Sequence, residues 1–158
     1  METLKIRLFG LLKVPIILFT SPSVIEVNDQ RCEVRIPLGY RTKNHVGSMY
    51  FGSLAVGADL CVGMLAMEAV KSLGAKMAPV FKDFNVEFKK LAKGDVHFIS
   101  EEGDKVSAAV KAAQTTGQRQ NVTVHGYAVV PAVDPNEVVM EFTLTLSVKD
   151  LSQRPTAS

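Results

Sequence analysis

The sequence has few of the residues that build metal sites and disulfide frameworks. Its 158 residues include two cysteines, three histidines and no tryptophan. Cys32 and Cys61 stand 29 positions apart, outside any CxxC or Cys/His spacing, so the sequence predicts buried, reduced thiols and no metal site. Because reduced thiols are typical of a reducing compartment, we expect a cytoplasmic protein.

The chain also lacks an excess of either charge. Its 18 basic and 16 acidic residues give a net charge of +2 and are spread along the sequence. Binding to a phosphate backbone needs concentrated basic residues, so nucleic acid is not an expected partner. The 47% hydrophobic content is typical of one domain with a hydrophobic core, which we assign to residues 1–150, followed by a disordered tail over 151–158.

The N-terminal region lacks the long apolar run of a signal peptide or membrane anchor. Lys13 and Pro15 interrupt its apolar residues, and the uninterrupted stretch VPIILF is far shorter than the roughly 20 residues that span a bilayer. The sequence therefore predicts no integral membrane segment. Leu4 to Leu12 is expected to form a short amphipathic helix that covers a groove or a subunit edge, with a peripheral membrane contact as the alternative.

Hydrophobic periodicity predicts six strands and a surface helix. Alternating apolar residues from Arg31 to Leu38 indicate a half-buried strand, and Val24 to Val27 would pair with it as a hairpin. A surface helix is predicted over 104–116, between the fourth and fifth strands, with Asp104 as its N-cap and Gly117 as its terminator. The other four strands are predicted over 84–88, 95–100, 121–130 and 138–148.

The longest apolar run extends from Ser53 to Leu73 and is predicted to form a helix buried on nearly all sides. Gly74 would end this helix in the left-handed conformation that glycine tolerates. Gly57 and Gly63, inside the run, would permit close packing against the sheet or a second helix.

One carboxylate, Asp59, lies inside this otherwise apolar helix. Glu68, nine positions further on, lies about 180° away around the helix axis, so Glu68 would reach solvent and Asp59 would not. A carboxylate in an apolar wall has a raised pKa and is suited to activate water or to attack a carbonyl group. The alternative is a structural acid, hydrogen-bonded to a loop or to a partner subunit.

The order of these elements and one residue spacing resemble a known family. An antiparallel sheet wrapped around a long central helix, with an N-terminal helix in front, is an α+β arrangement that resembles the hotdog fold. Asn44 stands 15 positions before Asp59, and this spacing resembles the phenylacetyl-CoA type of hotdog thioesterase. The string NHVGSMYFGSL, with the helix inserted between strands 4 and 5, is similar to a further branch described as thioesterases. The resemblance covers Leu8 to Lys149.

The resemblance implies a hydrolase of acyl-CoA or acyl-carrier thioesters that uses neither a metal ion nor an organic cofactor. It also implies self-association as a homodimer or a dimer of dimers, with acyl sites at the subunit interface. Asp59 would be the catalytic base or nucleophile, and Asn44 would orient the water or donate a hydrogen bond to the developing oxyanion.

The start of the helix would hold the substrate. Its unpaired backbone amides, around Gly52 and Ser53, would polarise the thioester carbonyl, and Gly52 would let the substrate approach the backbone closely. The expected substrate-binding residues are His45, Gly47, Met49, Tyr50, Phe51, Gly52 and Ser53.

Two other functions stay open at the level of the sequence. Many relatives of the phenylacetyl-CoA type have His-Gly-Gly where this chain has Tyr50, Phe51 and Gly52, so a non-catalytic protein that binds acyl groups or acyl-CoA is the first alternative. A hotdog hydratase or dehydratase is the second. Such enzymes pair a histidine with the acid, and His45 is the nearby candidate.

Overall fold

A six-stranded antiparallel sheet and one long helix form the framework of the chain. The computed structural model describes residues 1–152. The elements are α1 (Glu2–Leu12), α2 (Pro15–Thr20), β1 (Ser23–Val27), β2 (Cys32–Ile36), α3 (Phe51–Ser72), β3 (Val80–Phe88), β4 (Val96–Ser100), α4 (Gly103–Thr116), β5 (Gln120–Val130) and β6 (Asp134–Val148). The strand order is β1-β2-β4-β5-β6-β3 and every pairing is antiparallel. The predicted α+β architecture is confirmed, including the helix between the fourth and fifth strands.

The core lies where α3 packs against the sheet. Alternation along β6 predicts that every second side chain is buried, and the structure confirms it from Met140 to Leu146. Near the two ends of the strand it is wrong, because Val139 and Ser147 are also buried and Val138 is only half-buried. The buried side chains of this strand include Met140, Phe142, Leu144, Leu146 and Val148. Leu65 and Val62 of α3 are almost completely buried. Because each Å² of apolar surface removed from water contributes about 25 cal/mol, these contacts supply most of the driving force for folding.

Gly57 lets α3 approach the sheet at its closest point. A Cβ atom at this position would lie 2.1 Å from Cε2 of Phe98, a fully buried residue of β4. The predicted close packing is therefore confirmed at Gly57. At Gly63 it is wrong, because a Cβ atom there would meet nothing within 4 Å.

The helix ends differ in detail from the sequence prediction. α3 begins at Phe51, two residues earlier than expected, with Tyr50 as its N-cap. α4 begins at Gly103 with Glu102 at the N-cap position, so Asp104 lies in the first turn and is not the cap. Gly74 and Gly117 both adopt the left-handed conformation expected after a helix.

β3 departs from the half-buried strand that its alternation predicts. It lies at one edge of the sheet and pairs with β6 alone. Phe84, Val86 and Phe88 are each more than one-third exposed, although their spacing is that of a core-facing strand. The described part of the chain therefore leaves an apolar strand edge uncovered.

The two cysteines are buried and free, as predicted. The Cys61 thiol donates to the carbonyl oxygen of Cys32 at 3.5 Å, and burial raises the pKa of the Cys61 thiol well above its ordinary value.

Near the C-terminus, the Leu151 amide donates to the carbonyl oxygen of Lys76. Residues 153–158 of the predicted tail lie outside the described residues.

Among the described residues, one helix is long and apolar enough to cross a membrane by length and composition. That helix is α3, and 61% of its most apolar window is buried inside the fold. Its packing against the sheet is that of a core helix.

The two glycines of α3 make a matched pair for testing the packing. Gly57→Ala is expected to destabilise the fold by about 1–3 kcal/mol, because the new methyl group must displace the Phe98 ring. Gly63→Ala is expected to stabilise it by about 0.5–1 kcal/mol, because alanine favours the helix and has room there. Urea unfolding of both variants checks this prediction, and equal destabilisation by the two would contradict it.

Candidate active site

Asn44 organises the loop that precedes α3. Its side-chain oxygen accepts hydrogen bonds from the backbone amides of Val46 at 3.0 Å and Ser48 at 3.1 Å. Its side-chain nitrogen donates to the Ser48 hydroxyl at 2.9 Å. An amide nitrogen carries two hydrogens, so one donor of Asn44 is left for another acceptor. Asn44 thus holds a tight turn and keeps a hydrogen-bond donor that the turn does not use.

Further hydrogen bonds fix the loop to the body of the chain. The Met49 amide donates to the carbonyl oxygen of Ala92 at 2.9 Å, and the Tyr50 amide donates to that of Thr42 at 2.8 Å. The Thr42 hydroxyl donates to the carbonyl oxygen of Pro37 at 2.6 Å. Sequence reasoning missed Thr42, which is buried; a threonine within a glycine-flanked loop was the available signal. These bonds set the point at which α3 begins.

The start of α3 presents free backbone amides. No side chain caps this helix end, so the amides of Phe51, Gly52 and Ser53 have neither an intrahelical nor a capping acceptor. The helix dipole adds partial positive charge at the same place. The Ser53 side chain itself is buried. The arrangement is suited to bind an anion or a polarised carbonyl oxygen.

Two aromatic side chains cover this helix end. The rings of Tyr50 and Phe51 lie 4.8 Å apart between centroids, and both side chains are largely exposed. A Cβ atom at Gly52 would lie 2.4 Å from Cε1 of Tyr50. The space that the sequence assigns to a substrate beside Gly52 is therefore filled by the Tyr50 ring in this structure.

Asp59 lies in the third turn of α3, on a helix face that is only partly covered. The neighbouring positions of this face, Gly52, Val56 and Gly63, are half-buried like Asp59 itself. The expectation that Asp59 is withdrawn from solvent is therefore met only in part. Burial raises the pKa of the Asp59 carboxyl group. Within residues 1–152, the carboxylate makes no side-chain hydrogen bond or ion pair, so no structural partner accounts for it.

Glu68 provides the contrast on the opposite face of α3. It is half-buried and forms an ion pair with Lys71 at 3.2 Å, one turn along the helix. The prediction that Glu68 reaches solvent while Asp59 does not is met only in part, because both residues are half-buried. The two acids differ in their partners: Glu68 pairs with Lys71, and Asp59 has no ion pair within residues 1–152.

The remaining predicted site residues divide between the loop tip and the core. His45 and Gly47 are exposed at the tip, and Gly47 has a positive φ of 81°. The Met49 side chain is buried. No group of three or more His, Cys, Asp or Glu side chains in the described residues could hold a metal ion.

Two small clefts on the described residues do not include Asp59. One cleft, of about 210 Å³, lies between the end of α2 and the loop at Gly39 to Thr42. The other, of about 90 Å³, lies between the segment after β3 and the β5–β6 turn. Ligand pockets usually enclose about 300–1,000 Å³. Asp59 thus lies on a partly covered helix face, outside both of these clefts.

The chain is similar to a protein family and to several solved structures. The sequence matches the family described as "Domain of unknown function (DUF4442)" over residues 5–148. No curated protein matches it. A probable thioesterase from Pseudomonas aeruginosa has a TM-score of 0.77 and 20% identity, with 95% of this chain and 97% of that chain covered.

Two further structures extend this similarity. A protein of unknown function from Chlorobaculum tepidum has a TM-score of 0.80 and 13% identity, with 94% of each chain covered. A provisionally assigned thioesterase from Shewanella oneidensis has a TM-score of 0.77 and 15% identity, with 94% of this chain and 98% of that chain covered. The similarity confirms the predicted hotdog fold.

Asp59 is expected to lower the stability of the folded chain at neutral pH. Because its pKa is raised in the folded state, the folded chain binds this proton more tightly than the unfolded chain does. Stability therefore falls as pH rises from the unfolded pKa through the folded pKa. Asp59→Asn should raise the melting temperature at about pH 7, and the gain should vanish below the ordinary Asp pKa of about 3.9.

Thermal unfolding followed by circular dichroism across pH measures this effect. Glu68→Gln is the matched control on the opposite face, with an expected change within about 0.5 kcal/mol, because an ion pair between residues three apart on one helix contributes little. A lower melting temperature for Asp59→Asn at neutral pH would mean that the carboxylate has a stabilising partner.

Proposed function

The chain belongs to the DUF4442 family, and from this premise we propose that it hydrolyses acyl thioesters. The observation that carries the proposal is the half-buried carboxylate of Asp59, which has a raised pKa and makes no side-chain hydrogen bond or ion pair within residues 1–152. Two of the similar structures described above carry provisional names as thioesterases, and the first of them is also called a protein of unknown function. The uncapped start of α3 supplies the second chemical requirement, a set of free amides for the carbonyl oxygen.

In the proposed reaction, the Asp59 carboxylate takes a proton from water as the water oxygen bonds to the thioester carbonyl carbon. The carbonyl oxygen becomes an oxyanion and accepts hydrogen bonds from the amides at the start of α3. Collapse of this intermediate breaks the C–S bond, and the proton held by Asp59 passes to the departing sulfur. The products are a carboxylic acid and a thiol. In the alternative mechanism, Asp59 acts as the nucleophile: its carboxylate attacks the carbonyl carbon, releases the thiol and forms an acyl anhydride, which water then hydrolyses.

Asn44 and the aromatic pair complete the proposed site. The unused amide hydrogen of Asn44 would orient the attacking water or support the oxyanion. Tyr50 and Phe51 would contact the acyl group, beside Met49, Gly52 and Ser53. His45 and Gly47, at the exposed loop tip, would contact CoA or the carrier. The buried, free thiols support the proposal of a reducing, cytoplasmic compartment.

Helix geometry favours a site shared between two copies of the chain. Gly52 and Asp59 are seven residues apart, which places them about 10 Å apart along one helix. A single carbonyl group must lie within about 3 Å of its oxyanion donors and close to its base or nucleophile. Asp59 of one copy facing the start of α3 of another copy would satisfy both requirements.

The exposed edge of β3 supports the assembly that this site needs. Pairing of β3 with the β3 strand of a second copy would satisfy its free backbone groups and cover Phe84, Val86 and Phe88. We therefore include a homodimer, alone or paired into a dimer of dimers, in the proposal.

A non-catalytic protein that binds acyl-CoA is the second candidate. The observation that favours it is the Tyr50 ring, which lies over Gly52 at the start of α3 and covers the place where a carbonyl group would be polarised. No comparable observation supports a hydratase, because His45 is exposed at the loop tip and makes no hydrogen bond or ion pair with Asp59 within residues 1–152.

Hydrolysis of short, long and aromatic acyl-CoAs tests the proposed function. Asp59→Asn is expected to lower kcat by about 100-fold or more, because it removes the general base. The wild-type rate should rise with pH through an apparent pKa above the ordinary value for aspartate, since burial raises the pKa of Asp59. Asn44→Ala should also lower kcat, and Glu68→Gln should leave it unchanged. Tight acyl-CoA binding without turnover would favour the binding protein.

Mixing two inactive variants tests whether the site is shared. Phe51→Pro removes the first amide of α3 without disturbing the helix, since proline is tolerated at a first helical position. If Asp59 and this amide come from different copies, mixed dimers of Phe51→Pro and Asp59→Asn contain one intact site. Random mixing should then restore about a quarter of the wild-type activity.

Phe51→Ala is the matched control, because it removes the same ring and keeps the amide. No recovery from a mixture whose exchange is confirmed by mass spectrometry of tagged copies would place the base and the amide in one chain. A particle of 17.2 kDa in light scattering would rule out the shared site.

A further inference from the structure

The N-terminal helix α1 exposes its more apolar face. Its buried residues are Ile6 and Gly10 alone, while Leu4 and Leu12 are 72% and 67% exposed. The exposed leucines follow one another at intervals of four, three and one residues, which puts them on one side of the helix. We define the leucine face as Leu4, Leu8, Leu11 and Leu12. A helix that covers a core turns its apolar face inwards. α1 instead turns the leucine face towards solvent.

The short helix α2 extends this apolar surface. Ile16 and Phe19 are each more than half exposed. Both α1 and α2 thus expose large apolar side chains, and the two helices are adjacent. Such a cluster is more than the single scattered apolar residues of an ordinary surface.

The two helices are firmly attached, so the exposed face is a built feature. A Cβ atom at Gly10 would lie 2.7 Å from the Leu18 backbone nitrogen, which shows that the helices touch backbone to backbone. The Arg7 side chain donates to the Pro22 carbonyl oxygen at 3.0 Å. The Val24 amide donates to the Thr3 hydroxyl at 2.9 Å.

Positive charge borders the leucine face. The first 25 residues contain three basic side chains and one acid, Glu2. Glu2 and Lys5 form an ion pair at 2.7 Å, which leaves Arg7 and Lys13 without an acidic partner among the described residues. The adjoining loop contains Arg41 and Lys43, and the sequence has no acidic residue between Glu33 and Asp59. The Arg41 guanidinium lies over the Phe19 ring at 5.5 Å, which joins the charged loop to α2.

We propose that the hairpin of α1 and α2 binds the surface of an anionic lipid bilayer, with the leucine face inserted among the acyl chains. An apolar face bordered by basic side chains is the combination that interfacial helices use. Anionic headgroups attract nearby Lys and Arg side chains, and the apolar side chains leave water at the same time.

Charge and position favour a bilayer over a second copy of the chain as the occupant. In a two-fold contact the same patch meets itself, so the basic side chains around the leucine face would be brought towards one another. α1 and α2 also pack beside β1 and α3, and β1 is at the opposite end of the sheet from the free edge of β3. A bilayer provides both the apolar phase and the opposite charge.

Sedimentation with lipid vesicles tests the proposal without reference to catalysis. Wild-type protein is expected to sediment with phosphatidylcholine vesicles that contain about 30 mol% phosphatidylglycerol, and much less with phosphatidylcholine alone. The double variant Leu8→Glu/Leu12→Glu should have a partition coefficient onto these vesicles that is lower by about tenfold or more, because two leucines no longer enter the bilayer. Val133→Glu, an exposed apolar position in the β5–β6 turn, is the matched control and should bind as wild type does.

Two further measurements make the result decisive. Lys5→Gln/Lys13→Gln should remove most of the preference for anionic vesicles and leave the fold intact by circular dichroism. Leu4→Gln is the second apolar variant, for use if the double glutamate variant loses its helical signal. Absence of wild-type binding to anionic vesicles would overturn the proposal. So would a fall in particle mass on Leu8→Glu/Leu12→Glu, because it would assign the face to contacts between copies.

Discussion

The packing of one helix against one sheet is the contact on which the rest of the structure depends. Phe98 of β4 fits against α3 only because residue 57 has no side chain, and this contact fixes how deeply the helix sits. Because Gly57 faces the sheet, the residues about 200° further around the helix axis face away from it. That face carries Asp59, so the same contact that stabilises the core also exposes the proposed catalytic group.

The candidate site illustrates a conflict between stability and chemistry. A carboxylate without a partner on a half-buried helix face disfavours its charged form, and a helix end without a cap leaves backbone donors unsatisfied. Both features oppose folding, and both are useful to a reaction that needs a base and an oxyanion site. Natural proteins usually keep such features only where function requires them. Asn44 shows the complementary case, since its side chain serves the loop and still keeps one donor.

Much of the fold could be predicted from sequence because the relevant signals are local. Alternation along β6 and the apolar run of α3 gave the core, and the 15-residue spacing from Asn44 to Asp59 drew attention to the site. The rest depended on contacts that periodicity does not describe. The N-cap of α4 is set by tertiary position, the Tyr50 ring over Gly52 by side-chain packing, and the exposure of β3 by its place at the edge of the sheet. The leucines of α1 have helical spacing, but spacing alone does not say which face meets water.

The exposed edge of β3 also has a consequence for biosynthesis. β3 pairs with β6 alone, and the two strands are separated by β4, α4 and β5 in the chain. During translation, an apolar strand must therefore wait without its neighbour until the last strand has emerged from the ribosome. Even after folding, one edge is still open. Newly made protein would depend on chaperones or on rapid encounter with a second copy to avoid aggregation, so its yield in a cell should depend on the rate at which it is made.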